Sequence, residues 1–359
     1  MAHTTKNDTL PGIALLLVMA LALGAIGYKH LAAPAAGWVN GWREVNSFHY
    51  PRRALAATTY NNYLYVLGGV DNQGNYVKPV EYAPILEDGG LGPWRQTSTL
   101  LEGRFYLAAA SHQGYLYAIG GGGGDLGDNN VPLASVERAR IQADGSLGPW
   151  RHHSYLTTPR RGLKAAIVGQ RLFAIGGYNG TFLKSTESLC LTAADPQWRQ
   201  EPSQAQVDRY IHAAAQRDNR LYLLGGHTEK SGSSYGDVES APVDELGQLG
   251  PWRIAQTRLQ DARFIASAFA LGNHLYIVGG HNGIRRLASV EVASTNAQGH
   301  VGAWSSLPDL NHKRSATAAA IAGQHVYIAG GMDDNGALRS VEMATYRPGG
   351  ALAHRMAAQ

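Results

Sequence analysis

Six arginines and six glutamates recur through the chain, and they hold most of its capacity for chemistry. The arginines are Arg52, Arg104, Arg160, Arg209, Arg263 and Arg314. The glutamates are Glu81, Glu137, Glu187, Glu239, Glu291 and Glu342. An arginine offers five donors in a rigid fork that matches carboxylate and phosphate geometry. Six of them around one axis would focus field on an anion such as a carboxylate, a phosphate or an acidic peptide. Equal numbers also allow a plainer outcome, in which each arginine neutralises the glutamate of its own repeat. A feature present six times fits architecture better than a ligand without sixfold symmetry, so pairing is the first expectation.

Positions that break the pattern point more directly to binding. Arg53 and Arg161 add a second cation beside their repeated neighbours. Phe105, Tyr210 and Phe264 place aromatics at that same offset, where Ser315 stands in the last repeat. His227 and His281 occupy a position that other repeats give to Val70, Gly122, Tyr178 and Met332, and Lys164 stands where Ala or Ser is usual. Mixed arginine and aromatic residues suit sugar or peptide recognition. The expected ligand-binding set is therefore the six repeated arginines with Arg53, Phe105, Arg161, Tyr210, His227, Phe264 and His281. No catalytic residue, metal ligand or cofactor is expected. The stretch "GGGGGDLGDNNV" resembles a phosphate loop but precedes a strand and lacks the Gly-Lys-Ser/Thr ending. The spacing of its Asp125 and Asp128 matches no EF-hand loop.

Composition narrows the class. The 359 residues carry 31 basic and 27 acidic side chains, net +4, with no basic run to suggest nucleic acid. A single cysteine, Cys190, excludes an internal disulfide framework and a cysteine zinc site. Forty-four glycines indicate a loop-rich β protein. The amino terminus differs: Leu10–Tyr28 is uncharged over nineteen residues, close to the roughly 20 a spanning helix needs. Lys29 and His30 favour an uncleaved anchor, while "AAPAA" at 32–36 offers a cleavage site. Either places the remainder outside the cytoplasm: at the inner membrane facing the periplasm, or free in the periplasm after cleavage.

The elements that must position these side chains emerge from internal repetition. "LYVLGG", "LYAIGG", "LFAIGG", "LYLLGG", "LYIVGG" and "VYIAGG" recur with first glycines at 68, 120, 176, 225, 279 and 330. Each is followed by a β-type run holding the glutamate, then a turn ending in Trp94, Trp150, Trp198, Trp252 or Trp304, then an arginine and an alanine-rich run. Each unit reads as four short strands between turns, and six units near 50 residues predict a β-propeller. Small residues belong near the crowded axis, and the repeated aromatics (Tyr65, Tyr117, Phe173, Tyr222, Tyr276, Tyr327) fill the widening outer gap. The diglycines, glutamate and tryptophan make residues 41–346 similar to the kelch repeat family.

Trp42 lies 26 residues before Gly68, the same register as the later tryptophans, yet it precedes the first unit. The last unit, meanwhile, lacks its tryptophan strand. "GWREV" at 41–45 is thus expected to complete the last blade beside Glu342. The expected organisation is an anchor or signal segment at 1–36, an all-β six-bladed propeller closed by its amino-terminal strand at 37–347, and a tail at 348–359.

The topology puts the arginine loops and the variable loops at one mouth, and the resemblance implies that this mouth is the ligand-binding face. In some eukaryotic kelch adaptors, arginines near this position hold acidic peptides. The leading expectation is a membrane-tethered, extracytoplasmic binding or scaffold module for a protein partner, an envelope complex or an anionic ligand. The alternative is a periplasmic mutarotase or epimerase for an anionic sugar such as a sialic acid. A copper radical oxidase is disfavoured because Cys190 lies on a third strand, away from the mouth.

Overall fold

In the computed structural model, which describes residues 39–124, 130–227, 233–296 and 298–347, the chain forms six four-stranded antiparallel sheets. The expected anchor segment, the carboxyl-terminal tail, Asp125 and Asp128 lie outside the described residues. Among the described residues no helix is long and apolar enough to cross a membrane.

The first blade comprises Ala56–Tyr60, Tyr63–Leu67, Pro79–Pro84 and Arg95–Thr99, paired in that order from the axis outward. The next four blades repeat it. The last blade draws Ala318–Ala322, His325–Ala329 and Val341–Tyr346 from the end of the chain and its outer strand, Val39–Val45, from the beginning. Glu44 lies opposite Glu342 and Val45 opposite Val341, with a register shift between Asn40 and Arg43 where Trp42 sits. The clasp expected from the spacing of Trp42 is present. Closure leaves no gap in the ring through which an unpaired strand edge could recruit another chain.

Packing follows the wedge between blades. Inner strands such as "AAASH" and "AAAIA" crowd the axis, while the repeated aromatics on the second strands are buried. The Tyr65 hydroxyl donates to the Gly145 carbonyl of the next blade at 2.7 Å, and Tyr327 donates to Gly89 at 2.8 Å across the closing junction. These phenols therefore bond one blade to the next as well as filling space.

The diglycines are a second inter-blade joint. Both residues of each pair have positive φ, a conformation glycine adopts without penalty. At the fifth pair, a Cβ on Gly279 would stand 2.6 Å from the Arg314 carbonyl of the next blade. Gly280 N–H donates to that same carbonyl at 2.8 Å, and Gly331 repeats the bond to Arg52 at 3.0 Å, across the closure. Only a residue without Cβ permits this approach.

Candidate functional site

The six repeated arginines are inside the protein. Each is 0–1% exposed and bonded to the glutamate of its own blade. The Nη2–Oε1 separation is 2.6 Å for Arg52–Glu81, Arg160–Glu187 and Arg209–Glu239, and 2.8 Å for Arg314–Glu342. Arg104–Glu137 and Arg263–Glu291 are paired in the same way. The surroundings repeat too. Arg160 Nη1 donates to the carbonyls of Gly176 and Ser185, and Glu187 accepts from the backbone N–H groups of Thr157 and Thr158. Each pair therefore ties together the loop entering a blade, the diglycine and the third strand. Burial pushes Arg52 down to about 10, opposed by Glu81, and desolvation likewise lowers Arg160, Arg263 and Arg314 against the pull of their glutamates. The pairing reading holds. As a ligand-facing ring these six have no surface to present, because all are buried and their Nη groups are bonded within the wall.

In five blades the residue after the arginine is half-buried at the mouth, and in the last it is the buried Ser315. It forms an isolated antiparallel bridge with the residue after the diglycine of the same blade: Arg53 with Val70, Phe105 with Gly122, Arg161 with Tyr178, Tyr210 with His227, Phe264 with His281, and Ser315 with Met332. The two sets of repeat-breaking positions thus meet in pairs and form the rim. Size is matched within a pair, for a Cβ on Gly122 would collide with the Phe105 ring.

Around five blades the rim is an arc of rings in contact. Tyr76 lies 6.2 Å from Phe105, Phe105 5.4 Å from Tyr106, and Tyr106 6.4 Å from Tyr210. Tyr178 and Phe182 pack on Tyr210 at 5.3 and 6.0 Å. The arc continues from Phe182 to His227, Phe264 and His281 at 6.4, 4.9 and 5.4 Å. Burial, reinforced by Arg286, lowers the basicity of His281 and favours a neutral imidazole there.

Two cations stand in this arc with no carboxylate partner among the described residues. The Arg161 guanidinium lies 4.9 Å over Tyr178 and 5.8 Å from Tyr210, while Arg53 has only the Met332 sulfur, at 3.8 Å. Burial raises the Tyr106 phenol, and Arg53 and Arg161 both act to lower it, so the three share one electrostatic neighbourhood. A half-buried guanidinium pair backed by aromatic faces can hold a carboxylate bidentately and an apolar group beside it.

Tyr106, Tyr76 and Phe182 were not anticipated. Tyr106 belongs to a collar two residues beyond each arginine: Ala54, Tyr106, Gly162, Ile211, Ile265 and Ala316. All six have φ between 46° and 63°. Ala54, Tyr106, Gly162, Ile265 and Ala316 each donate their N–H to the carbonyl of the collar residue in the preceding blade, for example Ala54 to Ala316 at 2.9 Å. Isoleucine in the left-handed region is strained, so the ring of bonds holds Ile211 and Ile265 in a conformation their types resist. Constant spacing was the available signal, but residue types so unlike one another concealed it.

Below the collar the axial channel widens. A pocket of about 20 Å³ at the collar leads to one of about 130 Å³ among the alanines of the inner strands and then to one of about 370 Å³ toward the opposite face. Among the described residues no group of three or more His, Cys, Asp or Glu is placed to hold a metal. Cys190 ends the third strand of the third blade.

Six closed sheets with a one-sided aromatic and cationic mouth define a β-propeller with a single differentiated face. The chain belongs to the kelch-repeat β-propellers: the Kelch motif model matches residues 159–203 and 266–292. It is 25% identical over 286 residues to Kelch-like protein 25 of Xenopus tropicalis, covering 77% of this chain and 44% of that one. It is also 26% identical over 195 residues to beta-scruin of Limulus polyphemus, covering 52% of this chain and 20% of that one. The chain thus spans less than half the length of these relatives. A solved structure titled "Structure of YjhT" shares the fold, with TM-score 0.66, 15% identity, and coverage of 83% of this chain and 95% of the other.

Proposed function

We propose that the protein is a binding module whose mouth takes an acidic protein segment, with a carboxylate on Arg53 and Arg161 and an adjacent apolar or aromatic residue on the Tyr178–Phe182–Tyr210 cluster. The observation that carries this reading is the two cations, without carboxylate partners among the described residues, set among aromatic faces. In such a site a few central aromatic and arginine anchors dominate affinity. The test is an array of short acidic peptides measured by fluorescence anisotropy. The Arg53→Ala/Arg161→Ala double variant is expected to weaken binding roughly tenfold or more, and added salt to weaken it further. Equal affinity in the double variant overturns the reading.

The anionic-sugar alternative relied on the repeated arginines as its anion hold. With those in the walls, only Arg53 and Arg161 remain to it, and no further feature favours it.

We further propose that the propeller is tethered at the inner membrane and faces the periplasm, a reading supported by the uncharged run Leu10–Tyr28. Retention in the membrane fraction after alkaline carbonate, with the propeller cleaved by protease added to spheroplasts, is the expected result. Release by carbonate favours cleavage instead, and protection from protease overturns the orientation.

A further inference from the structure

We infer that the axial channel is a second binding site, separate from the mouth, for a short monocarboxylate of about the size of acetate, with the Lys164 ammonium holding the carboxylate. Lys164 begins the inner strand of the third blade, where the other blades have Ala56, Ala108, Ala213, Ser267 and Ala318. It is the one charged residue among those lining the collar pocket and the wider pocket beneath it. Its amine makes no hydrogen bond or ion pair to any described residue. The six buried glutamates are committed to their arginines. Lys164 is half-buried against the channel, so its ammonium has lost part of its hydration with no counterion among the described residues, and an anion in the channel offsets that cost.

The surroundings select the anion. The titratable groups near Lys164 are Tyr106, which lines the same pocket, and His212, which is fully buried and has no partner for either ring nitrogen. Burial, with Arg209 and Lys164 close by, keeps that imidazole neutral. Arg53 and Arg161 act on Tyr106 from the mouth side but do not line the pocket, so Lys164 is the one cation in its wall and a monovalent anion matches it better than phosphate. Ser267 and Thr317 line the same pocket from the fifth and sixth blades. The Ser267 hydroxyl donates to the Thr317 carbonyl at 3.1 Å, which leaves the Thr317 hydroxyl, 2.8 Å from it, to turn its donor to the second oxygen. The remaining lining is chiefly alanine, suited to a methyl group. The pocket of about 130 Å³ is well above the ~10–15 Å³ that one water needs, so it admits a ligand as small as acetate. Entry is from the opposite face, where Thr58, Thr59, Ser111 and Gln216 line the wide end; the narrow collar bars the other route.

The test titrates the full chain with ¹³C-acetate by NMR, with inorganic phosphate and methylammonium as comparison probes. Saturable binding near millimolar acetate is expected, with phosphate and methylammonium far weaker. Lys164→Met should lose it by roughly tenfold or more, whereas the Arg53→Ala/Arg161→Ala variant should retain it, which separates this site from the mouth. Burial pushes the amine down to about 8; only the ammonium holds the anion, so affinity in the unmodified chain should fall as pH rises from 7 to 9. Acetate binding that is absent, unaffected by Lys164→Met, or constant over that pH range overturns the inference. The pH profile needs no variant and decides the matter even if Lys164→Met fails to fold.

Discussion

Sixfold repetition and its violations separate structural residues from functional ones at the level of single side chains. Arg160 exemplifies the first kind. Replacing it with Met leaves Glu187 buried and without its cation, and removing one partner of a buried pair costs about 3–5 kcal/mol. Urea denaturation of Arg160→Met should show a loss of that size, with the mouth variant Arg161→Met close to unchanged in stability. His212 exemplifies the second kind. It fills a slot that Leu55, Leu107 and Leu163 occupy in the first three blades, and its neutral ring is enforced by burial, then by Arg209 and Lys164. A histidine whose folded-state value is lowered binds fewer protons folded than unfolded. Its contribution is therefore intact above about 6.5 and lost as pH falls toward the folded value. His212→Leu should flatten the fall in stability below pH 6.5 by up to about 1.4 kcal/mol per pH unit. His153, lowered to about 4 by burial and Arg138, His274, lowered by burial and Arg217, and His281, lowered by burial and Arg286, contribute to the slope that remains. An unchanged slope would mean that the ring is already protonated or solvated in the folded protein.

Strands and turns were the most legible features in the sequence, and the reason is physical. The diglycines, alanine runs and tryptophans are each demanded by a fixed place in the wedge, so six copies repeat the demand. The place of Trp42 in the last blade followed from that register alone. The rim was half legible: Phe105, Tyr210, Phe264, His227 and His281 were marked by deviation, and the structure joins them in bridges. The contacts between arcs of different blades, and Tyr76 and Phe182 within them, depend on loops of unequal length whose course no repeat dictates. Pairing of the six arginines with the six glutamates was suggested by their equal number, but their burial, which removes them from the expected ligand-binding set, and the Glu–backbone bonds that make each pair a loop clamp were not. The diglycine joint gives a test at this scale. Gly279→Ala places a Cβ 2.6 Å from the Arg314 carbonyl at a positive φ, whereas a Cβ on Gly323, also at positive φ, has nothing within 4 Å. Both substitutions carry the left-handed penalty of about 1–2 kcal/mol, and only the first adds a steric clash. Thermal melts should therefore rank Gly279→Ala well below Gly323→Ala; equal melting temperatures would show that the blades separate without cost.

For the whole molecule the decisive junction is the last blade, because only there do strands from opposite ends of the described chain share one sheet. Val39–Val45 contributes the outer strand, Trp42 is buried against the core of the last two blades and its indole donates to the Pro308 carbonyl at 3.2 Å. Asn311 returns a bond to the Trp42 carbonyl at 3.1 Å while also bonding Glu342 at 2.9 Å. The strand is thus connected to the same arginine–glutamate clamp that holds the mouth loop of that blade, so loosening the clasp should reach the rim. Trp42→Ala removes a buried aromatic, a change that typically costs about 3–5 kcal/mol. Its effect should be greatest in the last blade, read as faster amide exchange across Val341–Tyr346 and His325–Ala329, with the second and third blades protected as before. Deleting residues 41–46 exposes the edge of Val341–Tyr346 and should convert monomer to aggregate, measured by light scattering on warming. A deletion variant that stays monomeric with unchanged exchange in the last blade would show that the ring is held by its inner strands and diglycine bonds, and that the clasp is dispensable for closure.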